Sequence, residues 1–70
     1  MITDERVLAN IKYYMQREGW SQRGLAGQIS MREGTLSKIL TGRRPLRAME
    51  LGAIAEALHV SPNDLLEIYL

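Results

Sequence analysis

Residues 20–42, WSQRGLAGQISMREGTLSKILTG, decide how this chain folds. Leu25, Ala26 and Ile29 fall at i, i+1 and i+4, and Leu36, Ile39 and Leu40 at i, i+3 and i+4. That spacing predicts two short helices, each with one apolar stripe. Between them, Ile29-Ser30-Met31-Arg32 leaves three or four residues for a turn. At about 100° per residue, the face of the second helix opposite its stripe carries Gly34, Ser37, Lys38 and Thr41, flanked by Glu33 and Thr35. That face is polar and slim, and the pattern leaves it pointing away from the core.

Two helices joined by so short a turn form the arrangement that lays one helix in a DNA major groove. The stretch resembles the Cro and lambda repressor type helix-turn-helix family through Gln22, Leu25-Ala26, Ile29, Leu36, Ile39 and Gly42. Downstream, Ile54-Ala55-Glu56-Ala57-Leu58-His59-Val60-Ser61 and Asp64-Leu65-Leu66 are similar to that family's fourth helix and the start of its fifth. The resemblance covers nearly the whole chain. It implies an all-α fold of five helices in one domain, residues 1–70, with the motif at about 21–41. It also implies a sequence-specific double-stranded DNA-binding transcriptional regulator, a phage or bacterial repressor working as a homodimer on a palindromic operator.

By the family's register, Glu33, Gly34 and Lys38 occupy the base-reading positions. Arg32 and Thr35 lie near phosphate or the adjacent base, and Gln22 meets the DNA backbone. Lys38 would donate to guanine O6 and N7, Glu33 would accept from cytosine N4, and the Thr35 methyl would pack on thymine. Two positions depart from the family pattern. Ser30 replaces the usual turn glycine, which strains a serine if φ is positive there. Leu40 stands in place of a glutamate, and Met15 in place of its basic partner on the first helix. An apolar Met15–Leu40 contact is expected to replace the buried ion pair, a change that is often neutral or stabilising.

Charge divides along the chain in a way its net of +1 conceals. Between Gly19 and Met49 lie Arg23, Arg32, Lys38, Arg43, Arg44 and Arg47 against Glu33. The remainder carries Arg6, Lys12 and Arg17 against Asp4, Glu5, Glu18, Glu50, Glu56, Asp64 and Glu67. Positive charge concentrated on the motif is the electrostatic footprint of a phosphate-binding face, where an ordinary solvated surface would mix signs evenly. The loop after the second helix, Arg43-Arg44-Pro45-Leu46-Arg47, is expected to run its three arginines along the sugar-phosphate backbone. Together with Gln22, Arg23, Arg32 and Ser37, they are the candidate phosphate contacts.

The rest of the sequence supplies the scaffold. Thr3, Asp4 and Glu5 suit the start of a helix reaching about Glu18, with Val7, Leu8, Ile11 and Met15 inside, Tyr14 at the edge and Gly19 as its left-handed stop. Tyr13 and Tyr14 read as helix packing, since nothing around them suits a platform for single-stranded nucleic acid. Ser21 caps the next helix, and Trp20 before it is placed to staple onto Leu25. Ala26 marks a close helix crossing. The third helix has two possible caps: Ser30 and Glu33 have capping-box spacing, while the family register starts the helix at Arg32. Gly34 costs up to about 1 kcal/mol relative to alanine inside a helix; close approach of DNA and simple drift both account for it. A fourth helix spans about Ala48–Leu58 with Leu51, Ile54, Ala55 and Leu58 inside, and His59 stands where glycine often stops a helix. Ser61-Pro62-Asn63-Asp64 then opens a fifth. Its continuation holds more apolar surface than a small domain hides, so Leu66, Ile68, Tyr69 and Leu70 are the expected dimer interface. Continuation into a linker or second domain is the alternative.

Seventy residues make one small domain; with 46% hydrophobic residues and no cysteine it must rely on packed helices. The cysteine count excludes disulfides and thiolate metal sites and suits a reducing, cytoplasmic, nucleoid-associated setting. No apolar run is long enough for a membrane span or signal peptide. A single histidine, no glycine-rich phosphate loop and no convergent carboxylate pair argue against an enzyme, a cofactor, a metal or a small-molecule ligand. An antitoxin-like or other protein-interaction module with the fifth helix as partner surface is the alternative function. The charge division weighs against it, because a protein-binding module has no need to confine positive charge to the motif.

Overall fold

A computed structural model describes residues 5–66. They form α1 (Glu5–Glu18), α2 (Gln22–Gln28), α3 (Glu33–Leu40), α4 (Ala48–Ala57) and α5 (Pro62–Leu66). This is the five-helix all-α architecture that the resemblance implied. The expectations placed on Thr3, Asp4, Ile68, Tyr69 and Leu70 lie outside the described residues.

The apolar stripes meet as one core. All four residues of the α1 stripe are buried, and Leu25, Leu36 and Ile39 join Ile11, Ile54, Leu58 and Leu65 with no exposed surface. Ala26, almost fully covered, lies where α2 and α3 pack together, and a small side chain lets two helices approach closely. Met15 and Leu40 are both buried in this core and line the same cleft with Trp20 and Gln22. Tyr14 packs against the core with the Arg17 guanidinium 4.8 Å from its ring centre. Tyr13 departs from the expectation of packing: it is 60% exposed, and it forms an edge-to-face pair with Tyr14, centroid to centroid 5.1 Å.

Two closures were not visible in the sequence, and a third, at Trp20, was visible only as a staple onto Leu25. Leu46, in the loop after α3, is fully buried and anchors that loop to the core. The Asn10 side-chain amide donates to the Leu65 carbonyl at 2.9 Å, tying α1 to α5. Trp20 lies over the first turn of α2, so that a Cβ added at Gly24 would come within 3.4 Å of its ring and 3.1 Å of the Ser21 hydroxyl. A side chain at Gly24 would therefore be tight, and the Ser21 hydroxyl and the Trp20 ring would have to give by a few tenths of an ångström.

The first four helices end in the same way. At each end the C′ residue has positive φ: Gly19 (75°), Ser30 (56°), Gly42 (79°) and His59 (58°). In each case the next residue's N–H reaches back to the carbonyl five residues earlier: Trp20 to Met15 at 2.8 Å, Met31 to Ala26 at 2.8 Å, Arg43 to Lys38 at 2.9 Å and Val60 to Ala55 at 3.0 Å. These are Schellman closures, which satisfy carbonyls the helix leaves orphaned. Two use glycine and two do not. Left-handed backbone costs a residue with a Cβ about 1–2 kcal/mol, partly offset by the lower entropy of its unfolded chain. Ser30→Gly and His59→Gly are each expected to stabilise the domain by up to about 1 kcal/mol. Combined, they should raise the thermal midpoint by roughly 5–10 °C in a circular dichroism melt. A midpoint that stays or falls would contradict this. His59 has little to lose, since its contact with Glu18 is 3.7 Å long and its side chain is largely in water.

Candidate nucleic-acid interface

The motif is assembled by its caps. Ser21 precedes α2 in extended backbone and its hydroxyl accepts from the Gly24 N–H at 2.9 Å. This leaves Gln22 and Arg23 exposed on the first turn. At the other end, Ser30 closes α2 rather than opening α3. Arg32 is the N-cap of α3, with φ −70° and ψ 140°, and its carbonyl accepts from Leu36 at 3.1 Å. The alternative start is thereby settled in favour of Arg32. Ser30 has the spacing of a capping residue, but its left-handed backbone is committed to the preceding helix.

α3 then turns Leu36, Ile39 and Leu40 inward. Glu33, Gly34 and Lys38 stand exposed on the outer side, with Thr35 and Ser37 half-buried beside them. A Cβ at Gly34 would meet nothing within 4 Å, so no packing inside the domain requires glycine there. Thr41 turns its hydroxyl back onto the Ser37 carbonyl at 2.9 Å, which removes it as an outward donor.

The loop after α3 divides its arginines. Arg43 and Arg47 are exposed. Arg44, expected along the phosphate backbone with its neighbours, is turned to Glu50. Its guanidinium makes a fork to Glu50, Nη1 to Oε1 and Nη2 to Oε2, both at 2.9 Å, and Nη1 also donates to the Pro45 carbonyl at 3.1 Å. Glu50 is the N3 residue of α4, and its Oε1 also accepts the Arg47 backbone N–H at 2.9 Å. This is half of a capping box; a guanidinium has no acceptor with which to return the other half. The hydrogen bond from Arg44 holds the Glu50 carboxyl below the usual carboxylate range, with the Arg47 N–H adding to the effect, and Glu50 raises Arg44 in turn. A depressed carboxyl contributes stability above its unfolded value, and that contribution is lost as pH falls through the folded one. The pair is therefore intact at neutral pH and opens only in acid.

Arg23, Arg32, Lys38, Arg43 and Arg47 are the exposed cations of the motif and its following loop, and Glu33 is the exposed acid among them. Glu18 and Glu56 are exposed elsewhere, on α1 and α4. Among the described residues no group of three or more His, Cys, Asp or Glu side chains gathers as a metal site. Among the described residues no helix is long and apolar enough to cross a membrane.

Comparison with known proteins agrees with this geometry. Residues 9–68 match the model of a helix-turn-helix domain family. Among solved structures, the clp gene regulator ClgR from Corynebacterium glutamicum superposes with a TM-score of 0.83 at 27% identity, over 89% of this chain and 66% of ClgR. The hypothetical transcription factor NHTF from Neisseria superposes with a TM-score of 0.82 at 29% identity, over 96% of this chain and 83% of NHTF. The chain thus spans just under two thirds of the ClgR chain. No curated protein sequence matches. With all but its first eight and last two residues inside the family match, the chain belongs to the helix-turn-helix domain family.

Proposed function

We propose that this chain is a transcriptional regulator of the Cro and lambda repressor type that binds double-stranded DNA sequence-specifically and acts as a repressor of phage or bacterial origin in the cytoplasm, associated with the nucleoid. The observation that carries the reading is the exposed outer side of α3, in a motif and following loop whose other exposed cations are Arg23, Arg32, Arg43 and Arg47. Glu33, Gly34, Thr35 and Lys38 read base edges; Gln22, Arg23, Arg32, Ser37, Arg43 and Arg47 hold phosphate and set register. Repression then needs no chemistry, only occupancy of an operator that overlaps a promoter. Superposition on two proteins described as a gene regulator and a transcription factor supports the same reading.

Operator binding as a homodimer is part of the proposal. The described residues measure 32 Å in their longest direction, and half-sites one helical turn apart lie roughly 34 Å from centre to centre. Two copies are needed to reach both. Leu66, 41% exposed at the end of α5, leads into the apolar residues assigned to the dimer contact.

The test is selection of preferred duplexes from a random pool, followed by fluorescence anisotropy with the wild type and Lys38→Ala. Lys38→Ala is expected to lose about 1–3 kcal/mol of discrimination at one base position while still binding duplex DNA. If the wild type binds no duplex at low salt, at concentrations that permit dimerisation, the reading fails and α5 becomes the surface to test for a protein partner.

A further inference from the structure

The loop between α3 and α4 is held more firmly than a seven-residue connection requires. Its entry is fixed by the Lys38 carbonyl, which accepts both the Arg43 N–H at 2.9 Å and the Arg44 N–H at 3.2 Å. Its middle is fixed by the burial of Leu46. Its exit is fixed by Glu50 on the Arg47 N–H. The Arg44 fork joins entry to exit, because the carboxylate that receives it also holds Arg47. With side chains only 26% and 19% exposed, Arg44 and Glu50 lie against the domain, while Arg43 and Arg47 on either side of the fork are exposed.

We propose that Arg44 and Glu50 are a positioning pair for DNA binding: the fork presets the loop so that Arg43 and Arg47 meet successive phosphates, and Arg44 itself holds no phosphate. The inference rests on the DNA-binding reading above and deepens it by separating positioning from contact. Binding normally pays to order loops and long side chains, and a loop already tied at three points has less left to pay. Elementary electrostatics makes the opposite forecast for one member of the pair. A carboxylate beside a phosphate-binding loop repels DNA, so neutralising it should tighten binding unless its geometry matters more.

The experiment is duplex binding by anisotropy across a salt series for the wild type, Arg44→Gln, Glu50→Gln and Glu50→Asp, with a thermal melt of each variant to check that it is folded. Positioning predicts that Glu50→Gln binds about fivefold more weakly despite losing a negative charge. Glu50→Asp keeps the charge but shortens the reach, and it should weaken binding similarly. Arg44→Gln should weaken binding with a salt slope within about half a unit of wild type, because no phosphate contact is removed. Tighter binding by Glu50→Gln with a slope steeper by about one would overturn the proposal, since Arg44 would then be a phosphate ligand restrained by Glu50. A slope shallower by about one in Arg44→Gln, or unchanged affinity in Glu50→Asp, would overturn it as well. Failure of the wild type to bind duplex at low salt would overturn the reading beneath it, before any variant is compared.

Discussion

Replacing Arg43 and Arg47 together with alanine is expected to weaken duplex binding about 30-fold near 0.15 M salt, and more as the salt is lowered, because two phosphate contacts are lost. The slope of log affinity against log salt should become shallower by up to about two units. Both side chains are exposed on a loop held by other groups, so the fold should be untouched and the thermal midpoint should move little. Preference among duplex sequences should survive, since phosphate contacts fix register without reading bases. Equal affinity and equal slope for wild type and double variant would place the phosphate contacts elsewhere.

Leu36→Ala is expected to remove most of the domain's stability. Leu36 is fully buried and belongs to the α3 stripe packed under the motif. A leucine-to-alanine change in a core costs about 3–5 kcal/mol, lost transfer energy plus the cavity left behind. A domain of this length holds only about 4–10 kcal/mol in total. Urea unfolding should show the midpoint cut by half or more with little change in slope. Leu36→Met, which nearly conserves volume, should cost less than about 1.5 kcal/mol. A loss below about 1 kcal/mol for the alanine variant would mean that α3 is not anchored through this side chain.

What could be read from the sequence was local. Ser21, Gly19 and the Ser61–Asp64 pair announce helix ends because a cap is made by residues within three or four positions of each other. The Ser61 N–H indeed donates to the Asp64 carboxylate at 2.9 Å, and the Asp64 N–H to the Ser61 hydroxyl at 3.3 Å. The stripes of α1, α3 and α4 were legible because 3.6-residue periodicity is a property of the single helix. Ser30 carried two local signals in conflict, the family's turn position and capping-box spacing. Its φ of 56° shows that the turn prevailed.

Features made by the chain folding back on itself were hidden. Leu46 stands between Pro45 and Arg47 with no periodic neighbours, so only the packed domain reveals that it is core. Arg44 looked like its neighbours because six basic residues in a motif invite one explanation for all of them. Its partner was half visible, since glutamate at N3 is a known helix-start residue, but arginine is not a capping type, so the signal at Arg47 and Glu50 was incomplete. For the candidate interface, composition and register gave the outer side of α3 and the basic loop. They did not separate the arginines offered to a ligand from the one turned to Glu50.

The most direct test of the central claim is a footprint by two-dimensional amide NMR of the labelled domain titrated with a selected duplex. Shifts concentrated at Gln22 and Arg23, along Arg32–Lys38, and at Arg43 and Arg47, with the exposed positions of α1 and the α4 residue Glu56 unmoved, are the predicted result. Shifts concentrated on α1 and α5 with the outer side of α3 silent would contradict the assignment of this helix as the DNA reader.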